Sequence, residues 1–350
     1  MSKKIEYQAL SFDDLLIIPE RSSVRSRLHT DLTVAIGDPE DSLLLRAPIL
    51  SAPMDTVTGS SMAVALANLG GLGVVHRFMH LELREKEIDK AANMGGNAAM
   101  ALGINDDPKD IIPRTLNYVR AYCFDIAHGH SVHSLRWLEC AKTVLEVMGR
   151  PYFPLIAGNV ATQEGAIDLQ LAGANIIKVG IGPSPVCSTR VVTGVGVPTA
   201  TALLRIRDRL PDISLIADGG IGTSGDAAKA FACGANAVML GSVLAGTDEA
   251  PGEVLLDRHN NKVKHYRGMA SREAQVANGG VKRGTSPEGV SGLVRYKGPV
   301  ADVANEFLGG LRSALSYVGA RTMVEFYNKS RLIQVTPSVA RESVPYILNS

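Results

Sequence analysis

The chain has 350 residues, of which 45% are hydrophobic and 20% charged, with 36 Lys and Arg against 35 Asp and Glu. This near-neutral balance disfavours binding to nucleic acid or to an anionic membrane surface. No apolar run approaches the length of a membrane span, the N-terminus lacks a signal-peptide pattern, and the 4 cysteines show no C-x-x-C spacing, so we expect a soluble, cytoplasmic protein.

Eight short apolar runs recur along the chain, and an amphipathic segment follows most of them. Continuous apolar runs are typical of parallel strands that are covered on both faces. The predicted strands are Pro48–Ala52, Leu72–His76, Ala99–Gly103, Tyr122–Ala127, Pro154–Ala157, Ile176–Gly180, Leu215–Ala217 and Ala237–Leu240. The predicted helices are Ser60–Leu69, Leu81–Asn93, Val132–Met148, Gln163–Ala172, Thr199–Arg209 and Ser224–Cys233. Eight such units favour an α/β fold that closes into a (β/α)8 TIM barrel.

Two segments fall outside this repeat. Residues 1–46 form an N-terminal extension that could cap the bottom of the barrel. Residues 252–299 interrupt the last unit, and their Gly, Ser and charge content predicts a strand pair around Asp257–Lys264 and then a mobile flap. The final helix resumes at Val300–Val318. We therefore expect one catalytic domain over residues 1–350.

Glycine-rich turns follow the last two predicted strands. They are Asp218-Gly219-Gly220 and Gly241-Ser242, whose backbone N–H groups are open to a ligand. Barrels of this type place their active site at the carboxyl ends of the strands and often bind phosphate after strands seven and eight. The pair of turns therefore predicts a phosphate site, although each turn alone could simply require glycine. Asp218 could accept hydrogen bonds from ribose hydroxyls.

A cysteine lies on the loop after the sixth predicted strand. Cys187 follows a Gly- and Pro-rich stretch and precedes Thr189 and Arg190, whereas the other cysteines fall within predicted strands or helices. A thiol exposed to the pocket beside proton-handling groups is a candidate nucleophile. A small buried hydrophobic residue is the alternative for any single cysteine.

The segment after the fourth predicted strand combines a carboxylate with histidines. Asp125 closes the strand and could orient a nicotinamide or a flavin. His128, His130 and His133 could instead be zinc ligands of a barrel hydrolase, or simply hydrogen-bonded histidines. The run Gly70–Gly73 lacks the G-x-G-x-x-G spacing of a dinucleotide fingerprint.

Several long motifs together resemble the IMP dehydrogenase/GMP reductase family over nearly the whole chain. They are Leu10-Ser-Phe-Asp-Asp-Leu-Leu-Ile-Ile-Pro19, Ser51-Ala-Pro-Met-Asp-Thr-Val-Thr58, Asp125-Ile-Ala-His-Gly-His-Ser131, Ile156-Ala-Gly-Asn-Val160, the loop Gly180–Arg190, Asp218-Gly-Gly220, Tyr266-Arg-Gly-Met269 and Gly309-Gly-Leu-Arg-Ser313.

The resemblance implies that Cys187 adds to C2 of a purine nucleoside monophosphate, with Thr189 relaying protons and Glu288 at the base. The implied substrate-binding residues are Asp218, Gly219, Gly220, Gly241, Ser242, Gly268, Met269, Ala270, Glu288 and Gly289. The implied positions for the cofactor, NADPH or NAD, are Ser26, Arg27, Arg77, Asp125, Ile126, Ala127, Ile181, Gly182, Ser313 and Tyr317. A potassium ion would lie on carbonyl groups of Gly182, Ser184 and Cys187. The family also implies a homotetramer, with Tyr317–Ser350 as a candidate contact.

Two features favour the reductase branch of that family. The second predicted strand runs directly into a helix where dehydrogenases usually insert a regulatory CBS domain. The flap is short, and Arg283 is followed by Gly284 where a dehydrogenase carries an Arg-Tyr pair that activates water. Two segments favour the dehydrogenase branch instead, because their sequences resemble those of dehydrogenases: Pro287–Val290 and Ala127–His130. IMP dehydrogenase therefore stays the alternative to GMP reductase.

The cysteine loop departs from the family pattern. Gly182-Pro183-Ser184-Pro185 stands where Gly-Pro-Gly-Ser is usual, so a hydroxyl and a backbone donor are missing at Pro185. Their loss should weaken phosphate binding by about 1–3 kcal/mol unless another group substitutes. Proline also restricts Ser184, which bears on the potassium site. A metal-dependent barrel hydrolase and an inactive nucleotide-binding protein remain the competing hypotheses.

Overall fold

The structure is a computed structural model that describes residues 4–281 and 284–342. In chain order its strands are β1 (Leu15–Ile17), β2 (Val34–Ile36), β3 (Leu43–Leu45), β4 (Ile49–Ser51), β5 (Leu72–Val75), β6 (Ala98–Leu102), β7 (Ala121–Asp125), β8 (Leu155–Val160), β9 (Ile176–Val179), β10 (Ser214–Asp218), β11 (Ala237–Leu240), β12 (Leu255–Leu256), β13 (Lys262–Arg267), β14 (Ser291–Arg295) and β15 (Leu332–Gln334). Its helices are α1 (Ser60–Leu69), α2 (Leu81–Asn93), α3 (Pro108–Thr115), α4 (Val132–Val147), α5 (Gln163–Leu171), α6 (Thr189–Thr193), α7 (Thr199–Arg209), α8 (Ser224–Ala232), α9 (Arg272–Ala277), α10 (Val300–Val318), α11 (Met323–Lys329) and α12 (Val339–Glu342).

Strands β4 to β11 form a closed parallel barrel in which spatial order follows chain order, and β11 pairs back with β4. A helix separates each strand from the next, and α10 follows the last one. The predicted (β/α)8 TIM barrel is therefore confirmed. Among the described residues, no helix is both long enough and apolar enough to cross a membrane.

Side chains on each barrel strand point alternately towards the helices and into the barrel, so the hydrophobic core has two parts. On β7, Tyr122 and Phe124 face the helices, and Phe124 stacks on Trp137 of α4 with ring centroids 4.3 Å apart. Cys123 of the same strand points into the barrel with Ile176 of β9. Because side chains on a strand alternate between its faces, the next inward position on β7 is Asp125.

The β2–β3 part of the N-terminal extension closes the bottom of the barrel, where the extension was expected to cap it. Ile36 of β2 and Leu43 and Leu45 of β3 join the cluster of side chains inside the barrel. The backbone N–H of Gly37 donates to Ser214 Oγ, at the start of β10, over 3.0 Å. This hairpin therefore seals the end of the barrel opposite the strand carboxyl termini.

Helix α3 is absent from the elements predicted from the sequence. It begins after Asp107, whose side chain accepts the backbone N–H of Lys109, and Pro108 occupies its first turn. A proline in the first turn costs no helical hydrogen bond, but Pro113 inside the helix makes the pattern resemble a loop.

The inserted segment also differs from the prediction. The expected strand pair around Asp257–Lys264 is a three-stranded antiparallel sheet of β12, β13 and β14. The expected mobile flap contains helix α9, which Ser271 caps by accepting the backbone N–H of Ala274. The third strand was not expected, since Ser291–Arg295 pairs with a strand more than twenty residues earlier.

Candidate active site

Two adjoining cavities open at the carboxyl ends of the barrel strands. We call the first the glycine-loop cavity; it has a volume of about 220 Å³ and is lined by Asp218, Gly219, Gly220, Gly241, Ser242, Tyr266, Gly268, Met269 and Glu288, among others. We call the second the Arg77 cavity; it has a volume of about 290 Å³ and is lined by Arg77, Phe78, Ile126, Lys178, Ile181 and Gly182, among others. Asp125, Cys187, Thr189 and Asp218 line both. Their shared wall is therefore the place where two ligands can meet.

Cys187 lies on this shared wall. Its Sγ is 3.2 Å from Thr189 Oγ1, at the start of helix α6, and the side chain is half-buried. The hydroxyl can therefore accept or return the thiol proton. The structure thus places the two side chains next to each other, and their roles as nucleophile and proton relay stay predictions.

The flap returns to the cysteine loop through backbone hydrogen bonds. The N–H of Ser188 donates to Glu288 O over 2.9 Å, and the N–H of Glu288 donates to Ala270 O over 3.1 Å. Cys187 and Gly289 form an antiparallel bridge. The base of the flap is thus closed, and it holds Glu288 against the same cavity as the thiol.

The other cysteines differ from Cys187 in position and burial. Cys123, inside the barrel, and Cys233, after α8, are buried. Burial raises the pKa of Cys233 to about 12 and holds that of Cys123 well above its usual value. Cys140 lies on helix α4, half-buried. None of these three lines either cavity among the residues described.

The glycines after β10 and β11 are required by close approaches. Gly219 has φ of 92°, and a Cβ there would lie 2.7 Å from Pro183 Cγ of the cysteine loop. A Cβ at Gly241 would lie 2.9 Å from the hydroxyl oxygen of Tyr266. Both turns are thus packed against neighbouring segments, the cysteine loop and strand β13, which leaves no room for a side chain at either glycine.

Ser184 supplies a hydroxyl in the altered loop. Burial raises the pKa of Tyr266 to about 12, and the nearby side chain of Ser184 acts in the opposite direction. Ser184, Pro185 and Tyr266 all line the glycine-loop cavity. The hydroxyl that Pro185 cannot provide is thus present one residue earlier, next to a tyrosine hydroxyl that the sequence did not single out.

A buried lysine joins the two carboxylates of the shared wall. Lys178 Nζ donates to Asp125 Oδ1 over 2.8 Å and to Asp218 Oδ2 over 2.7 Å, and it also contacts the side-chain oxygen of Asn159. The amide of Asn159 donates to Asp218 Oδ2 over 2.8 Å and to Gly180 O over 2.6 Å. Sequence reasoning missed Lys178, although a lone lysine within an apolar strand was a signal that could have found it.

Arg77 is a cationic group at the rim of the second cavity. Its Nε donates to the Asp125 carbonyl oxygen over 3.0 Å, and its guanidinium carbon lies 4.5 Å from the ring centroid of Phe78. A guanidinium held in this way suits a phosphate-bearing ligand. The predicted positions that line this cavity are Arg77, Asp125, Ile126, Ala127, Ile181 and Gly182.

Four predicted cofactor positions lie elsewhere. Ser26 caps a 3-10 helix that begins at Arg27, and this helix packs against α10, which carries Ser313 and Tyr317. These four side chains line neither cavity within one chain. Their role in cofactor binding stays a prediction.

Four further predictions have different outcomes. Gly289 does not line the glycine-loop cavity but pairs with Cys187. His130 Nε2 lies 2.8 Å from Asp168 Oδ2, and among the described residues no three His, Cys, Asp or Glu side chains converge on a metal site, so the zinc hypothesis gains no support. Arg283 lies outside the described residues, as does the end of the candidate tetramer contact, residues 343–350.

The potassium prediction concerns carbonyl groups of the cysteine loop. The Ser184 carbonyl oxygen already accepts the backbone N–H of Cys187 over 3.0 Å, and Gly182 has φ of 81°. A carbonyl oxygen has a second lone pair that a cation could use. The ion stays a prediction.

Fold and site together define a class: a barrel enzyme with a thiol between a glycine-lined cavity and a cation-rimmed one. The family model described as the IMP dehydrogenase / GMP reductase domain matches residues 9–346. Inosine-5'-monophosphate dehydrogenase of Borreliella burgdorferi is 35% identical, over 99% of this chain and 98% of that protein. GMP reductase 2 of Bos taurus is 36% identical, over 94% and 95%, and inosine-5'-monophosphate dehydrogenase of Cryptosporidium parvum is 36% identical, over 96% and 94%.

The chain therefore belongs to the IMP dehydrogenase/GMP reductase family of purine-nucleotide oxidoreductases. The resemblance inferred from the sequence motifs is confirmed. Membership in this family also weighs against the barrel hydrolase.

Proposed function

We propose that the protein is a GMP reductase: GMP, NADPH and two protons yield IMP, NADP⁺ and ammonium. The observation that carries this proposal is the closed base of the flap. The backbone bond between Glu288 and Ala270 confines the flap to a short span, part of which is helix α9. A dehydrogenase must deliver activated water to the purine after hydride transfer, and this span lacks the Arg-Tyr pair that does so in the family.

Alignment lengths also favour the reductase. The bovine GMP reductase 2 aligns over 337 positions, close to the 350 residues of this chain. The Borreliella dehydrogenase aligns over 412 positions, and that of Methanocaldococcus jannaschii over 491, so these relatives carry insertions that this chain lacks. This supports a single catalytic domain without a CBS insertion. Percentage identity does not separate the branches, because it is 36% to both the bovine reductase and the Cryptosporidium dehydrogenase.

The glycine-loop cavity would hold the nucleotide. Asp218 would accept the ribose hydroxyls, and the backbone N–H groups of Gly219, Gly220, Gly241 and Ser242 would bind the phosphate. Because Ser184 and Tyr266 present a pair of hydroxyls at the same cavity, they would offset the donors lost at Pro185. Gly268, Met269, Ala270 and Glu288 would contact the base.

At the reacting carbon, the chain supplies a nucleophile and a proton path. Cys187 Sγ adds to C2 of the purine, and the exocyclic amino group takes up a proton and leaves as ammonia. Thr189, whose hydroxyl lies 3.2 Å from Sγ, passes the thiol proton towards the leaving group, with Glu288 beside the base. After C2 has received a hydride, the C–S bond breaks, which frees IMP and returns Cys187 as a thiolate.

The Arg77 cavity would hold the nicotinamide end of a dinucleotide, which when bound supplies the hydride for C2. Arg77 offers a cation for a phosphate, and Asp125 lies where the two cavities meet. NADPH is the cofactor we assign, with NAD for the dehydrogenase alternative. A potassium ion on the cysteine loop and a homotetramer, which the family resemblance implies, complete the proposal, together with the cytoplasmic location expected from composition.

IMP dehydrogenase is the second candidate, because two of the three relatives described above carry that name. In that reaction Arg283 would activate water to hydrolyse the covalent adduct. An inactive nucleotide-binding protein is the third. Initial rates with GMP and NADPH, and with IMP and NAD⁺, separate all three.

We expect sustained NADPH oxidation with one ammonia released per cofactor, and at most one equivalent of NADH per site from IMP. Because a missing general base slows a reaction by about 10²–10⁴-fold, the steady-state rate with IMP and NAD⁺ should be lower than that with GMP and NADPH by at least about 10²-fold. Sustained NADH production from IMP that Arg283→Ala abolishes would make the protein a dehydrogenase. Nucleotide binding without turnover in either direction would identify an inactive binding protein.

A further inference from the structure

Lys178 is an ammonium group in the interior of the barrel. On β9, Ile176 points into the barrel and Ile177 towards the helices, so alternation turns Lys178 inward. The residue is 1% exposed. A Cβ at Gly158, its neighbour on β8, would lie 2.7 Å from Lys178 Cβ, so the absence of a side chain at Gly158 makes room for the lysine.

Among the groups that Lys178 contacts directly, negative charge exceeds positive charge. One ammonium faces two carboxylates, Asp125 from β7 and Asp218 from β10, whose side chains are 19% and 22% exposed. Burial lowers the pKa of Lys178, but these two carboxylates overcome that effect and hold its pKa above the usual value. The lysine therefore stays charged, and its three N–H groups are used by Asp125, Asp218 and Asn159.

Each carboxylate has a second task beyond the ion pair. Asp218 is the group we assign to the ribose of the nucleotide, and Asp125 the group at the junction with the Arg77 cavity. The lysine itself lines only the Arg77 cavity. It therefore acts on the nucleotide through the carboxylates that it holds.

We propose that Lys178 is a positioning residue that couples the two cavities, because it orients Asp125 and Asp218 together and offsets part of their combined charge. If the lysine were removed, the carboxylates of Asp125 and Asp218 would repel each other across the wall on which both ligands bind. Removing the charge of Asp125 would then relieve the repulsion felt by Asp218. This inference rests on the proposed function for its choice of ligand.

The experiment measures GMP and IMP affinity by calorimetry in four variants. Lys178→Met removes the positive charge and Lys178→Arg keeps it. Lys178→Met/Asp125→Asn removes one positive and one negative charge, so it returns the net charge of the lysine and its two carboxylates to the wild-type value. Lys264→Met is the matched control, since Lys264 is 2% exposed but donates to backbone carbonyl oxygens, including Thr247 O over 3.0 Å, rather than to carboxylates.

We expect Lys178→Met to weaken GMP binding by about 10- to 100-fold. Adding Asp125→Asn should recover at least about fivefold of that loss, while Lys178→Arg and Lys264→Met should stay within about threefold of wild type. A purely structural lysine would not be rescued by neutralising Asp125. Unchanged affinity in Lys178→Met, or an equal loss with and without Asp125→Asn, would overturn the proposal.

Thermal unfolding supplies a test that needs no ligand. If Lys178→Met is too unstable for calorimetry, charge balance still predicts that the double variant has a higher Tm than the single one. A double variant that is no more stable would count against the proposal. The proposed function fails separately, if wild-type protein binds neither GMP nor IMP.

Discussion

Asp218→Ala should affect both nucleotide binding and folding, and the structure separates the two effects. In the described part of the chain, both internal bonds of this carboxylate use Oδ2, from Lys178 at 2.7 Å and from Asn159 at 2.8 Å. Oδ1 is thus left for ribose hydroxyls. Losing a hydrogen bond to a charged acceptor inside a closed pocket costs about 2–4 kcal/mol, which is a 30- to 1,000-fold weaker Kd for GMP.

The same substitution removes one of two carboxylate partners of a buried ammonium. We expect a loss of about 1–3 kcal/mol in the free energy of unfolding, because Asp125 still pairs with Lys178. Asp218→Asn is the control, since it keeps the shape and loses the charge, so its Kd should fall between those of wild type and alanine. Calorimetry with GMP and urea denaturation measure the two effects. A lower stability with unchanged GMP affinity would show that Asp218 is structural and that the ribose binds elsewhere.

Three further predictions concern single side chains. Cys187→Ala should abolish turnover in a cofactor absorbance assay, while its GMP affinity stays within about tenfold of wild type. Cys140→Ala is the control and should behave as wild type. Steady-state activity in Cys187→Ala would rule out covalent catalysis by this thiol. His76 is buried, and burial lowers its pKa from 6.5 to about 4, so the folded protein favours the neutral imidazole. As the pH falls below 6.5, the unfolded chain binds a proton that the folded protein does not, and the protein loses stability. Between pH 7.5 and pH 5, the free energy of unfolding measured with urea should therefore fall by about 2 kcal/mol less in His76→Asn than in wild type. The same fall in both proteins would refute this prediction. Gly180→Ala should lower Tm and abolish GMP binding, since its Cβ would lie 2.0 Å from the Asp218 carbonyl oxygen; a normal Tm would contradict this packing.

Much of the fold was predictable because barrel strands have a strong local signature. Parallel strands buried on both faces must be apolar along their length, so runs such as Ala237–Leu240 are recognisable without any tertiary information. Helix α3 escaped this reasoning, because Pro113 lies inside it and a helical proline is tolerated only through its surroundings. Strand β14 escaped because its partner is distant in sequence.

In the candidate site, too, some features could be predicted from the sequence and others only became visible in the structure. The sequence alone pointed to the candidate nucleophile Cys187 and to the glycine turn at Asp218-Gly219-Gly220, because unusual residue types at strand ends can be recognised without a structure. Tertiary structure decided that the predicted residues separate into two cavities sharing one wall, and that Ser26 and Tyr317 lie outside both. It also decided the role of Lys178, because only closure of the barrel brings β7, β9 and β10 close enough for one ammonium to bind two carboxylates.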